Sequence, residues 1–330
     1  MLDDIYIALI SFFLSLITSY GLAPFVKNIG ERFRILDIPN FRKVHKKPIV
    51  RIGGLSILIS FFVWFFVIRE IFNFKYLSSV DFNNSTVILI GTFLFFLVGI
   101  HDDIFKSPPL FRLVIQFLIA FLVSFAGINF PDFHFYLPYF GEINILLTPF
   151  LSSIFSGILI VSITNSINLL DGIDGLAAGF CLILSVGLLV LMFNSGNLLG
   201  VLFFATLAGS ILGFLIRNFR PAYYIMGDCG SNLLGFSLST STLFFLGKTA
   251  NQQVPIYFLL LIFSLPIFDM CFVIFSRILN NKSIFEADRS HIHHRLIDLI
   301  LKYKYLILIL YSYSFISVSL GVKSLNNFLN

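Results

Sequence analysis

Apolar residues occur along this chain in long runs separated by short polar segments. A helix needs about 20 mostly apolar residues to cross a bilayer, and ten of the runs approach that length. They cover residues 5–26, 52–72, 85–101, 110–127, 149–168, 176–194, 199–217, 230–247, 254–276 and 303–322. The pattern therefore predicts an all-α polytopic membrane protein with about ten transmembrane helices, formed by residues 1–330 as a single domain.

Basic residues between these runs predict how the helices are oriented. Of the 22 Lys and Arg residues, 18 fall in alternate connecting segments. These segments are 27–51, 101–112, 169–175, 217–229 and 277–304. The positive-inside rule places them in the cytoplasm and both termini on the periplasmic or extracellular side. The predicted location is therefore a membrane that the chain crosses several times, with the basic segments on its cytoplasmic face.

Composition excludes several other classes of protein. Hydrophobic residues make up 58% of the chain and charged residues 12%, about half the charged fraction of a soluble domain. The three cysteines, Cys181, Cys229 and Cys271, are isolated, so no disulfide framework is predicted. The stretch from Ile5 to Val26 lacks a basic leader and a cleavage site, which favours a retained helix over a signal peptide. No nucleic-acid partner is predicted.

The segment HDDIFKSPPLFR (101–112) follows the third predicted helix. Asp102 and Asp103 point about 100° apart on a helix, so we expect them to serve separate groups, a metal-bound phosphate and a proton acceptor. Lys106 lies four residues after Asp102 and falls on the same helical face. A solvated turn ended by the two prolines is the alternative interpretation.

The segment NSINLLDGIDGLA (165–177) ends the fifth predicted helix. Asn165, Asn168 and Asp171 recur every three residues and drift slowly around one side of a helix. Asp174 follows in a glycine-containing turn. Oxygen ligands of this type suit a hard cation such as Mg²⁺, with Mn²⁺ as an alternative. An elaborate helix cap is the competing interpretation.

The segment AYYIMGDCGSN (222–232) precedes the eighth predicted helix. Gly227 and Gly230 bracket Asp228 and permit close backbone approach to a phosphate. The helix that follows offers free N–H groups to an anion. Asp228 is also placed to complete a magnesium site with the carboxylates of the earlier segments. A helix cap formed by the following Ser-Asn pair is compatible with either role.

A histidine-rich segment, ADRSHIHHRL, lies in the last long basic loop. It contains His291, His293, His294 and Arg295. Zinc binding is one interpretation, but no cysteine or further ligand accompanies the histidines. Donation of hydrogen bonds to a pyrophosphate or a sugar is the favoured interpretation, and surface decoration is the third.

The first basic loop, DIPNFRKVHKKPIVRIGG (37–54), contains His45 and ends in two glycines at a helix start. Attraction to anionic lipid explains its charge without any further role. Gathering a lipid phosphate explains the histidine and the glycines as well. Both interpretations stay open.

Together these five segments resemble the polyprenyl-phosphate N-acetylhexosamine-1-phosphate transferase family, which is related to phospho-MurNAc-pentapeptide translocase. The resemblance extends from Asp37 to Arg295 in the family's order, and Pro266, Asp269 and Arg277 are also similar to it. The strings NSINLLDGIDGLA and MGDCGS are highly specific, whereas the double aspartate alone is not. ADRSHIHHRL and DIPNFRKVH are similar to the GlcNAc-phosphate branch.

The resemblance implies a cytoplasmic cleft in which Mg²⁺ assists transfer of N-acetylhexosamine-1-phosphate from a UDP-sugar to undecaprenyl phosphate, with release of UMP. Implied roles fall into four groups. Asp228 and Asp171 would bind the metal; Asp102 and Asp103 would serve the lipid phosphate; Asn165, Asn168, Asp171, Asp174 and Lys106 would line the substrate pocket; His45, His291, His293, His294 and Arg295 would meet phosphate or sugar. Family members often stack a Phe on uracil just before MGD. Ile225 stands there in this chain, and Tyr224 is the expected replacement.

Two rival functions remain at this point. Phospho-MurNAc-pentapeptide translocase differs in its histidine loop, and an ion-coupled transporter would use the membrane aspartates as ion sites. A transporter gives no reason for Asn, Gly and His clusters confined to one face. The sugar, the downstream glycan (O-antigen, common antigen or teichoic acid) and the oligomeric state, monomer or homodimer, stay open.

Overall fold

The computed structural model describes residues 2–38, 47–72, 79–130, 133–137, 141–145, 147–249, 255–280, 283 and 303–329. Most of these residues are helical. The helices are α1 (Leu2–Gly21), α2 (Ala23–Arg32), α3 (Gly54–Ile71), α4 (Ser79–Phe105), α5 (Pro109–Phe125), α6 (Pro149–Leu170), α7 (Leu176–Asn194), α8 (Leu198–Asn218), α9 (Gly227–Thr249), α10 (Ile256–Ile262), α11 (Ser264–Leu279) and α12 (Tyr303–Leu329). Two antiparallel hairpins accompany them, β1 (Leu36–Asp37) with β2 (Ile49–Val50) and β3 (Phe133–Leu137) with β4 (Gly141–Ile145).

Every apolar run predicted from the sequence coincides with a described helix or helix pair. Seven described helical segments are long and apolar enough to cross a membrane, and the bent pair α10–α11 makes eight. This arrangement is that of a multi-pass membrane protein. Helix α5 is shorter, with 17 residues, and α9 is rich in serine and threonine. The described helices therefore support fewer spans than the ten predicted, and the orientation stays a prediction.

The structure corrects the sequence prediction in two respects. The fold is not purely α-helical, because β1–β2 and β3–β4 pair the backbone of two connecting segments. Two predicted helices are also interrupted. The first is interrupted at Leu22, and the ninth at Phe263, where the axes of α10 and α11 form an angle of 85°. Both interruptions precede a proline, Pro24 and Pro266, whose missing N–H leaves the preceding turn without its hydrogen bond.

Helix α8 lies at the centre of the molecule and packs against α1, α3 and α7. Within the 18-residue apolar stretch of α8, 89% of the residues are buried inside the protein. Such burial is expected for a helix that is apolar on every side. Aromatic rings fill the space around it. Phe203 meets Phe61 edge to face at 5.0 Å between ring centroids and Phe245 at 5.7 Å. This core fixes the helices that carry the polar groups.

Close helix crossings bring the start of α9 against α3 and α4. A Cβ added to Gly54 would lie 2.3 Å from the Cα of Gly230, and one added to Gly99 would lie 2.3 Å from the carbonyl oxygen of Asp228. Small residues permit such approach of backbones in membrane proteins. The first turn of α9 is thereby held at the ends of α3 and α4, where the sequence placed its polar motifs.

Candidate active site

Two adjacent carboxylates end helix α4 and contact different partners, as the helical geometry predicts. Asp102 binds Arg112 through its Oδ2 atom at 2.6 Å and accepts a hydrogen bond from the backbone N–H of Ser107 at 2.9 Å. The Asp103 carboxylate is completely buried and accepts hydrogen bonds from the backbone N–H groups of Asp228 and Cys229, both at 3.0 Å. Asp103 therefore caps the positive end of α9.

Asp228 lies in the first turn of α9 at the centre of a polar cluster. Its Oδ1 atom accepts a hydrogen bond from the side-chain amide of Asn168 at 2.8 Å, and the same amide donates to Ser231. The preceding residue, Gly227, has a φ angle of +75°. A Cβ there would lie 2.4 Å from the carbonyl oxygen of Arg51, so glycine is required at this turn.

Two arginines bind these carboxylates, and neither was among the predicted site residues. Arg51 contacts Asp103 at 2.8 Å through Nε and Asp228 at 2.9 Å through Nη2, and its Nη1 atom lies 3.7 Å from Asp37. Arg112 lies 3.9 Å from Asp228 in addition to its contact with Asp102. Their only signal in the sequence was position: Arg51 lies just before the two glycines of the first basic loop, and Arg112 ends the segment HDDIFKSPPLFR.

The carboxylates change the protonation behaviour of groups around them. Burial acts to lower the pKa of Arg51, but Asp228, Asp103 and Asp37 outweigh it and raise that pKa, so the guanidinium stays charged. Burial, followed by the negative charge of Asp228, raises the pKa of Asp171 well above its usual range. A positive group near Asp171 and Asp228 would offset this repulsion.

The predicted residues Asp171 and Asp174 lie in the turn that follows α6. Asp171 ends that helix, with its backbone N–H bonded to the carbonyl oxygen of Asn168 at 3.2 Å. Helix α12 supports the turn from outside. The hydroxyl of Tyr303 donates to the carbonyl oxygen of Asp174, and that of Tyr311 donates to Gly175 at 2.6 Å. The turn is thus held in place beside the cluster.

A second polar layer lies one helical turn further along the same helices. The side-chain amide of Asn165 donates to Gln116 at 2.7 Å, and the Gln116 amide donates to Asn232 at 3.3 Å. Gln116 and Asn232 are almost completely buried, and the Asn232 amide nitrogen has no hydrogen-bond acceptor among the residues that the structure describes. Of these three residues only Asn165 was predicted as a site residue.

Tyr224 was predicted to stack on a base, and the structure contradicts this. Its side chain is fully buried, meets Phe214 edge to face at 5.2 Å and shares a hydrogen bond of 3.0 Å with Ser56. Burial raises its pKa to about 12. The backbone forces this position, because Ile225 pairs with Val50 and turns the preceding side chain inward.

Lys106 occupies a different place from the one predicted. Helix α4 ends at Phe105, and Lys106 follows with a φ angle of +50° and an exposed side chain, so it is not on the helical face of Asp102. His45, His291, His293, His294 and Arg295 lie outside the described residues.

Comparison with known proteins identifies the chain. The family model for glycosyl transferase family 4 matches residues 85–246, which contain the double aspartate, NSINLLDGIDGLA and MGDCGS. A probable undecaprenyl-phosphate N-acetylglucosaminyl 1-phosphate transferase of Bacillus subtilis (strain 168) is 36% identical over 307 residues, covering 92% of this chain and 81% of that protein. The chain belongs to glycosyl transferase family 4. The resemblance inferred from its motifs is confirmed.

Other relatives of this family 4 chain carry similar names. A decaprenyl-phosphate N-acetylglucosaminephosphotransferase of Mycobacterium leprae (strain TN) is 29% identical, over 86% of this chain and 75% of that protein. An undecaprenyl-phosphate alpha-N-acetylglucosaminyl 1-phosphate transferase of Escherichia coli (strain K12) is 27% identical, over 83% and 72%. The likeness thus extends well beyond the central motifs.

The donor set of the family 4 chain fits Mg²⁺ by its chemistry. Asp228 and Asp171 offer hard oxygen ligands, and a bound cation would offset the burial and the charge of Asp228 that together raise the pKa of Asp171. Among the described residues no three Asp, Glu, His or Cys side chains form a closed metal-binding group. Such a group is not required, because Mg²⁺ usually binds through one or two carboxylates, with waters and substrate phosphates completing its shell.

Proposed function

We propose that this chain transfers N-acetylglucosamine-1-phosphate from UDP-GlcNAc to undecaprenyl phosphate at the cytoplasmic face of the bacterial inner membrane. Its relatives from B. subtilis, M. leprae and E. coli are named for a polyprenyl-phosphate acceptor and an N-acetylglucosamine group. The structural observation that carries the proposal is the convergence of Asp103, Asp228, Arg51 and Arg112 at the ends of several apolar helices.

The reaction exchanges one phosphoanhydride for another. An oxygen of the lipid phosphate forms a bond to the β-phosphorus of UDP-GlcNAc, and the bond from that phosphorus to the oxygen of the α-phosphate breaks. UMP leaves with the bond's electron pair, and undecaprenyl-pyrophosphate-GlcNAc remains. Because both reactants are anions, the site must offset charge and align the attacking and leaving oxygens. Arg51 and Arg112 supply positive charge at this point.

Asp228 and Asp171 are the proposed ligands of Mg²⁺. The bound ion would draw negative charge from phosphate oxygens and so ease their approach to another anion. Asn168 orients Asp228 through its amide. These contacts fix one carboxylate oxygen and leave its rotation restricted, which is the preorganisation that charge stabilisation needs.

Asp102 and Asp103 receive different roles in this proposal, although they are adjacent. Asp103 is buried and saturated by the first N–H groups of α9, so it positions Asp228 rather than touching the lipid phosphate. Asp102 lies beside Arg112 next to an apolar groove between α4 and α5. Asp102 is therefore the proposed partner of the lipid phosphate, as proton acceptor or as transient nucleophile.

The histidine-rich loop completes the proposal on the strength of the family resemblance alone. His291 and His294 are the proposed catalytic contacts to pyrophosphate, with His293 and Arg295 binding pyrophosphate or sugar. His45 belongs to the basic loop at the proposed mouth of the cleft. Asp174 lines the proposed nucleotide side, and Asn165 supports that side through its hydrogen bond to the buried Gln116.

A reconstituted transfer assay tests the function. Detergent-solubilised protein is given undecaprenyl phosphate, Mg²⁺ and one of several donors, and UMP release is measured with the lipid product. We expect turnover with UDP-GlcNAc, none without the lipid, and none after chelation of Mg²⁺. Preference for UDP-MurNAc-pentapeptide would assign the translocase reaction instead. Lack of UMP release with every N-acetylated UDP-sugar would contradict the proposal.

A further inference from the structure

Arg51 joins the site through a backbone that has little freedom to move. Its N–H donates to the carbonyl oxygen of Ile35 at 3.1 Å, and two residues later the N–H of Gly53 donates to Ile225 at 2.9 Å. Its carbonyl oxygen lies against Gly227, where no Cβ would fit. The segment is therefore fixed beside the start of α9, and only the side chain of Arg51 can change position.

The carboxylates that Arg51 binds are held in place by other groups. Two backbone N–H groups of α9 hold Asp103 from one side, and the amide of Asn168 holds Asp228. None of these contacts involves the guanidinium. Removing it would leave both carboxylates in their present positions, with a more negative space between them.

Exposure separates the mobile partner from the fixed ones. The side chain of Arg51 is 31% exposed, whereas that of Asp103 is 0% and that of Asp228 is 15% exposed. A partly exposed guanidinium on a flexible stem can turn toward solvent once another cation offsets the charge of the carboxylates that it leaves. Two buried carboxylates cannot, because each would lose its hydrogen bonds.

We propose that Arg51 is a resident counter-cation, which bridges Asp228 and Asp103 until a divalent cation bound by Asp228 and Asp171 displaces its guanidinium, and the freed guanidinium then binds the donor's pyrophosphate. The inference rests on the proposed function for the identity of the cation. A planar guanidinium matches two phosphate oxygens as well as two carboxylate oxygens, so the exchange preserves its hydrogen bonding. Arg112 is the less suitable candidate, since its short contact is with Asp102.

The test measures Mn²⁺ binding to the purified full chain without substrate, from the electron paramagnetic resonance signal of free Mn²⁺. Wild type is compared with Arg51→Gln, Arg51→Lys, Arg112→Gln and Arg217→Gln. Arg217→Gln is the control, because it removes the same charge at the same end of the molecule. The guanidinium of Arg217 stacks on Tyr20 and Tyr223. Melting temperatures in EDTA and in saturating Mn²⁺ are recorded for each protein.

We expect Arg51→Gln to bind Mn²⁺ about 10-fold more tightly, because a positive group in contact with both carboxylates is gone. Its melting temperature should fall in EDTA and recover with Mn²⁺, since the ligand binds only the folded state. Arg51→Lys should lie between wild type and Arg51→Gln. In the transfer assay, Arg51→Gln should raise the KM for UDP-GlcNAc while Arg217→Gln leaves it unchanged.

Three outcomes would overturn the inference. Equal or weaker Mn²⁺ binding by both Arg51 variants would show that Arg51 does not compete. An equal gain in Arg112→Gln would mean that general charge, and not contact, sets the affinity. If none of the proteins bound Mn²⁺, there would be no divalent cation with which Arg51 could exchange. By contrast, tight Mn²⁺ binding without UMP release from any donor would contradict the proposed function and leave the exchange by Arg51 supported.

Discussion

The charged cluster around Asp228 and the amide network around Gln116 are two layers that share three helices, α5, α6 and α9. Residues of one layer lie three or four positions from residues of the other, so the side chains stack along each helix. The pairs are Asp228 and Asn232 on α9, Arg112 and Gln116 on α5, and Asn168 and Asn165 on α6. Helical spacing has therefore placed an uncharged copy of the cluster directly beneath it.

The two layers differ in charge because they differ in access to water. Asp228 and Arg112 are partly exposed, whereas Gln116 and Asn232 have exposed fractions of 0% and 1%. A charge at the inner level would lose its hydration without a compensating partner, while an amide needs only hydrogen bonds. The comparison teaches that polar residues at helical spacing extend from the reactive groups into the scaffold that holds them.

The largest expected difference between the layers is in catalysis. Asp228→Ala should lower UMP release by about 10³-fold or more, because a proposed metal ligand and its transition-state stabilisation are lost. Asn232→Ala, one turn away, should lower it by less than about 10-fold if the inner layer does no chemistry. Initial rates at saturating substrates give both values. Comparable losses in the two variants would erase the functional distinction.

A second expected difference is in stability, within the charged layer itself. Asp103→Asn places an amide against Arg51 and against the N–H groups of α9, so it should cost about 3 kcal/mol, or roughly 5–10 °C in melting temperature. Asp102→Asn is the matched control, and we expect a smaller decrease because its partners are not the end of α9. Thermal unfolding followed by intrinsic fluorescence measures both. A larger decrease for Asp102→Asn would contradict the positioning role of Asp103.

The smallest effect, and the most diagnostic of the inner layer, concerns Gln116. Gln116→Leu should cost about 1–3 kcal/mol, because it leaves the buried amide of Asn232 without any partner. The double variant with Asn232→Leu should be more stable than Gln116→Leu alone, since an apolar pair costs less than a half-satisfied network. Melting temperatures of the four proteins form the cycle. Additive losses would show that the two amides act independently.

Much of this organisation could be predicted from the sequence. Each apolar run located a described helix or helix pair, and the motif strings identified the family and placed Asp103, Asn168 and Asp228 at the same end of the helices. The length of an apolar run is a local property of the sequence, so helices can be predicted from it without knowing how they pack. The breaks at Leu22 and Phe263 could have been anticipated from the prolines that follow them.

Other features depend on which helices meet and could not be predicted in the same way. Arg51 looked like part of a basic loop, because nothing local indicates that its backbone pairs with the strand-like segment before α9. Gln116 looked like a single polar residue in an apolar run, and its partners are on two other helices. The prediction that Tyr224 stacks on a base was wrong because the sequence does not reveal in which direction the backbone turns a side chain beside a motif.

The central position of α8 has a consequence for how the protein is made. Helix α1 packs along α8, yet synthesis reaches Leu198 long after Gly21. At about 5–20 residues per second, α1 waits roughly 10–35 s in the membrane for its main partner. During that interval α1 and α3 can pack against each other, but the faces that later contact α8 have no protein partner from that helix. The ribosome therefore makes the central helix α8 after several of the helices that surround it. The first half of the chain reaches its final packing only when the second half is synthesised.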